Sequence, residues 1–119
     1  MSSRISIRHR LLTMSLVLLA AVLIGTGSRA VDQEAARPQT HTVLIKGFEF
    51  LPPTLEVRSG DTVIWKNEDI VPHTATAEND FDSGGLDKGE SWKFVARKKG
   101  SFPYICDYHP TMKGSLIVR

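Results

Sequence analysis

With 119 residues the chain has room for one domain. Its 15 basic and 13 acidic side chains give a net charge of +2. Four of the basic ones (Arg4, Arg8, Arg10 and Arg29) fall in the first thirty residues, which leaves 11 basic against 13 acidic, a net of −2 for the remainder. That balance excludes the strongly basic face that nucleic-acid binding requires.

Residues 1–30 read as a cleavable signal peptide. Arg4, Arg8 and Arg10 precede an apolar run from Leu11 to Ile24 broken only by Thr13 and Ser15, and Ser28-Arg29-Ala30 places small residues at −3 and −1 of a cleavage point. The run is shorter than the roughly 20 residues a spanning helix needs, so the expectation is export to the periplasm without stable membrane insertion of the mature chain. No Arg-Arg pair marks a twin-arginine route, and no Cys near the cleavage point marks a lipoprotein.

Residues 31–40, polar and carrying Pro38, read as a flexible arm. Residues 41–119 form the domain. Its candidate strands are Thr42–Lys46, Thr54–Arg58, Thr62–Asn67, His73–Ala77, Ser91–Ala96, Ser101–Cys106 and Ser115–Arg119. Turn chemistry separates them at Pro52-Pro53, Ser59-Gly60-Asp61, Ser83-Gly84-Gly85, Lys88-Gly89 and Lys99-Gly100. Period-two alternation puts Val63 with Trp65, Trp92 with Phe94 and Ala96, and Phe102 with Tyr104 and Cys106. Seven short strands with no helical period predict an all-β fold, a small β-sandwich, with Trp65, Trp92, Phe94 and Phe102 in its core. Arg97-Lys98-Lys99 reads as a solvated turn, one strand length away from Cys106. Asp80 to Ser91 only faintly echoes a calcium loop, since position five is Gly84 and position twelve is Ser91.

Cys106 is the single cysteine of a chain read as exported, so it forms no internal disulfide. A buried core thiol is the plain alternative, and its neighbours decide otherwise. In Cys106-Asp107-Tyr108-His109-Pro110-Thr111-Met112 a thiol, an imidazole and a thioether recur at three-residue spacing between two strands. His73 heads His73-Thr74-Ala75-Thr76-Ala77, where alternation places it on the apolar, inward face, and a buried imidazole needs a partner. One thiolate, two imidazoles and one thioether make the donor set of a blue-copper electron-transfer centre, with His73, Cys106, His109 and Met112 as its ligands. Structural zinc wants four Cys or His, and this domain has only His41 to spare. A zinc with two His, one Cys and water stays open, as does Cys106 as a nucleophile with His109 as base, although no oxyanion-hole glycine motif adjoins it.

The stretches Phe81-Asp82-Ser83-Gly84-Gly85-Leu86, Lys88-Gly89-Glu90-Ser91-Trp92 and Gly100-Ser101-Phe102-Pro103-Tyr104-Ile105-Cys106 resemble the small bacterial cupredoxins. The short Cys-x2-His-x2-Met loop, with Pro110 after the His and Lys113-Gly114 after the Met, is most similar to the amicyanins; plastocyanins and pseudoazurins have longer His-to-Met spacing. The resemblance spans about residues 41–119. It implies a Greek-key sandwich with one type 1 copper near one end, and Asn67 tying the His73 segment to the Cys106 loop. Asp107 and Tyr108 depart from the amicyanin-like loop, which often has a small residue and Pro there.

Together these point to a periplasmic one-electron carrier cycling Cu(II)/Cu(I), a monomer and not an enzyme. His109 would be the exposed imidazole, and transient protein redox partners would dock near His109 and Pro110, with Tyr108 and Pro72 at the rim. The alternative is copper storage, delivery or resistance through the same ligands. Against it, the chain carries no Met-rich or His-rich shuttle tract.

Overall fold

The computed structural model describes Gln33 and residues 36–119. The expected signal segment lies outside the described residues, as do residues 31, 32, 34 and 35 of the expected arm. Nine strands are found among the described residues: β1 (Thr40–Lys46), β2 (Glu49–Leu51), β3 (Thr54–Val57), β4 (Asp61–Asn67), β5 (Thr76–Ala77), β6 (Phe81–Asp82), β7 (Ser91–Ala96), β8 (Gly100–Cys106) and β9 (His109–Val118). They form two sheets, ordered β2-β1-β4-β7 and β3-β9-β8-β5-β6. The chain passes repeatedly from one sheet to the other, as in Greek-key sandwiches. β1 therefore lies parallel to β4, and β3 parallel to β9.

Alternation explains which side chains meet between the sheets. Val43 and Ile45 of β1, Val63 and Trp65 of β4, Phe102 and Tyr104 of β8, and Leu116 and Val118 of β9 are all buried, each pair two residues apart. Trp65 is the largest of the fully buried side chains. Its ring lies 5.5 Å from Tyr104, 5.2 Å from Phe81 and 5.7 Å from Trp92, centroid to centroid. Trp92 and Phe94 are only half-buried and pack against this core from the edge strand β7. An edge strand has a neighbour on one side only, so its inward face is less completely covered.

Three differences from the sequence-based expectation position the site. His73–Ala77 is regular strand only over Thr76–Ala77. Upstream of those residues the chain stays extended, but its ladder runs to the Ser83–Leu86 segment. His73 and Leu86 exchange two backbone bonds, and the Ala75 and Ser83 segments are likewise joined. β9 starts at His109 rather than Ser115, because only Asp107 and Tyr108 are needed to turn from β8 into β9. Cys106 pairs with His109 while Ile105 pairs with Lys113, so Pro110, Thr111 and Met112 bulge from the ladder. β2 and β6, three and two residues long, were not anticipated, since a period of two cannot register in so few positions.

Candidate metal centre

The site forms at one pole of the sandwich, where the β8–β9 turn, the β1–β2 turn and the loop after β4 meet. The Cys106 side chain ends β8 and is fully buried. Its Sγ lies 3.6 Å from Nδ1 of His73 and 3.6 Å from Nδ1 of His109. All three donor atoms fall within 4.8 Å of one another. With bonds of about 2.0 Å to nitrogen and about 2.3 Å to sulfur, donors spread evenly around one ion would sit about 3.5–3.7 Å apart. Both sulfur–nitrogen distances thus already match what a single ion needs. His73 is fully buried and His109 only half so, which leaves His109 the more exposed of the two imidazoles; Phe48 packs edge-on against part of its ring. Met112 is buried on the bulge of β9.

Hydrogen bonds around the trio hold it in place. The Thr74 N–H donates to Cys106 Sγ at 3.3 Å. That N–H is thereby withdrawn from strand pairing, which is the local reason β5 and β8 pair only at Thr76 and Ile105. The Asp107 N–H donates to Thr74 Oγ1 at 2.8 Å. Nε2 of His73 faces Asp69 Oδ2 at 2.8 Å, so its N–H donates to the carboxylate and Nδ1 is left as the unprotonated nitrogen facing Cys106. Burial alone would raise the Asp69 carboxyl, but the N–H groups of Phe48 and Gly47 and the His73 ring outweigh it and hold it below the usual carboxylate range.

Asn67 is fully buried, but its role differs from the one the resemblance implied. Its Nδ2 donates to the carbonyls of Val71 and Leu86 at 2.9 and 2.8 Å, and its Oδ1 accepts the Asp69 N–H. It shapes the loop leading to His73, whereas the tie to the Cys106 turn is made by Thr74. Sequence reasoning also missed Phe48 and Asp69. Phe48 packs edge-on against both imidazoles, at centroid distances of 5.2 and 5.0 Å. The only sequence signal for it was Gly47, a turn residue, and nothing in the spacing of Asp69 marks it as a partner of His73 outside a helix. Tyr108 is exposed, with its hydroxyl close over Gly85.

A second polar cluster occupies the other end of β4. Asp61 is buried and accepts the N–H groups of Gln39 and Arg58 and Nε2 of His41, at 2.8, 3.0 and 2.9 Å. It fastens the start of β1 to the turn before β4, far from the cysteine.

The family model described as a cupredoxin-like domain matches residues 15–118. The amicyanin of Paracoccus versutus is 29% identical over 80 residues, covering 62% of this chain, and the chain spans 61% of that protein. Amicyanin-alpha of Methylorubrum extorquens is 27% identical over 105 residues, or 83% of this chain and 87% of that one. Among solved structures, a copper-containing nitrite reductase from Thermus scotoductus superposes with a TM-score of 0.65 at 32% identity over 70% of this chain, but over only 23% of its own.

Proposed function

The chain belongs to the cupredoxin-like family, and on that premise we propose that it is a one-electron carrier whose His73, Cys106, His109 and Met112 hold a single copper ion. The observation that carries this reading is the N₂S trio with both Nδ1 atoms 3.6 Å from one buried sulfur. A tetrahedral zinc would accept the same spacing; the donor set argues for copper, because a lone thiolate with two imidazoles and a nearby thioether suits both of its oxidation states. Bound copper supplies reversible one-electron chemistry. The protein holds the donors in a rigid β-framework: Thr74 and Asp107 bind the Cys106 turn to the His73 segment, and the ladder to Leu86 fixes the His73 backbone.

The half-buried edge of His109 serves as the electron port. Phe48, Ile70 and Tyr108 are exposed large hydrophobic residues on the segments that carry the site, and together with Pro110 they form the surface against which a partner docks. Encounters of this kind are small and transient. The reading includes a monomer, export by residues 1–30 to the periplasm, an arm at 31–40 and no enzymatic turnover of its own. Adding Cu(II) to the purified protein and recording the visible spectrum tests it. An intense thiolate-to-copper band is expected and should vanish in Cys106→Ala. A colourless protein, or a band that survives that substitution, would sink the assignment. A loaded protein that exchanges copper with a chelator within seconds would instead support copper delivery.

A further inference from the structure

Asp69 stands where three segments meet. Its Oδ1 accepts the Gly47 N–H at 2.7 Å, and its Oδ2 accepts the Phe48 N–H at 2.9 Å and the Nε2 proton of His73 at 2.8 Å. Its own N–H donates to Oδ1 of the buried Asn67 at 2.9 Å, so the carboxylate is aimed from a fixed base. Gly47 and Phe48 are the two central residues of the β1–β2 hairpin, flanked by the pair Lys46 and Glu49. Both have positive φ, 62° and 60°.

A two-residue hairpin with two positive φ values matches the twist of its strands and usually draws Asn and Gly. Phenylalanine in that conformation is costly, because its Cβ crowds the following carbonyl. The strained backbone puts the Phe48 ring edge-on to both imidazoles, with interplanar angles of 86° and 87°, while half of the residue stays exposed. Strain of this kind at a site is retained when the surroundings impose it, and here the Asp69 carboxylate grips both N–H groups of the turn.

We propose that Asp69 is a positioning residue that couples His73 to the Gly47-Phe48 turn: one carboxylate sets which nitrogen of His73 faces Cys106 and holds the strained turn that lays Phe48 across both imidazoles. The proposal rests on the reading of His73, Cys106 and His109 as copper ligands, but the link itself is a property of the protein. Its effect is that the two rings keep one spacing with or without an ion. A carboxylate bonded to the far nitrogen also makes His73 a stronger donor, which favours the divalent ion over the monovalent one.

NMR of the purified copper-free protein reads the link directly. Wild type should show His73 protonated at Nε2 and a slowly exchanging Phe48 amide. In Asp69→Asn the His73 tautomers should mix, and the Gly47 and Phe48 amides should exchange at least about tenfold faster while core amides stay protected. Once copper is added, this variant should keep its visible band with the reduction potential shifted upward. Phe48→Gly should keep the His73 tautomer, because the carboxylate remains, yet lose its ion to a Cu(I) chelator several-fold faster than wild type. A wild-type His73 protonated at Nδ1, or an Asp69→Asn protein with unchanged tautomer and amide exchange, overturns the link. If Asp69→Asn does not fold, the wild-type tautomer and the Phe48→Gly release rate decide the matter; equal release rates count against the cover. A wild-type protein that shows the tautomer and the protected amide but takes up no copper overturns the copper reading and leaves the link standing.

Discussion

Tyr104 shows how much one atom in this core matters. It is buried, and among the described residues neither its hydroxyl nor Nε1 of Trp65 has a partner of good hydrogen-bond geometry, Trp65 offering the phenol only a weak contact. Leaving a buried polar group unpaired costs on the order of 1–3 kcal/mol. Tyr104→Phe should therefore match or exceed wild type in stability by about 1 kcal/mol in denaturant unfolding at neutral pH. Burial pushes the Tyr104 phenol up to about 12. The unfolded chain ionises near pH 10 while the folded one does not, so the contribution is present below pH 10 and drains away between about 10 and 12. Tyr104→Phe should remove that alkaline loss; an unchanged pH profile would place the loss elsewhere. The copper reading adds its own test at this scale. Met112→Leu should keep the visible band while raising the reduction potential, since a weak axial donor favours the oxidised ion. Voltammetry on the two proteins reads the shift.

At the level of elements, the sandwich depends on contacts that join strands distant in sequence. Asp61 is such a contact, since it fastens β1, the turn after β3 and β4 through three donors. Asp61→Ala should cost about 2 kcal/mol, because three part-buried donors lose the acceptor they share. Burial would raise this carboxyl, but the Gln39 and Arg58 N–H groups and His41 hold it below the ordinary carboxylate range. Its stabilising contribution is thus complete above the unfolded value near 4 and is lost as pH falls through the lower folded value. Thermal unfolding from pH 7 down to 3 should show that loss in wild type and a flatter profile in Asp61→Asn. The β8–β9 pairing gives a steric test. Gly114 lies opposite Tyr104 in the register, and a Cβ there would run into the Tyr104 ring. Gly114→Ala should destabilise by about 2 kcal/mol or more, because the buried ring has nowhere to retreat.

Across the described residues, the His73, Cys106 and His109 trio lies at one pole and the Asp61 cluster at the other. The Arg97-Lys98-Lys99 turn joins β7 to β8 at the end of β8 remote from Cys106, so it takes no part in the site. Exposed Phe48, Ile70 and Tyr108 stand at the site's end, and Ile70 is 84% exposed in the loop between Asp69 and His73. On the electron-carrier reading, Ile70→Glu should leave the visible spectrum and potential intact while slowing electron exchange between two copies of the protein roughly tenfold at low salt, because it adds to the negative charge both copies bring to the encounter. An unchanged exchange rate would move the docking surface off this face.

The all-β character, most strand positions and the identity of the three converging donors were legible in the sequence, because period-two alternation and the Cys-x2-His-x2-Met spacing are local patterns that a strand-turn-strand converts directly into geometry. The inward placement of His73 followed from the same alternation, and it is fully buried. What only the tertiary structure decided are relations between residues far apart in the chain. Asp69 reaches back 22 positions to Gly47, Thr74 crosses 32 positions to Cys106, and Phe48 comes to lie over two imidazoles from different sheets and loops. The break of the His73 segment has the same origin, since an N–H spent on a sulfur is unavailable to a ladder. Such contacts depend on how the two sheets stack and where the loops cross at the pole. No spacing within a single segment records that, because it is packing between segments that selects among the loop conformations each segment allows on its own.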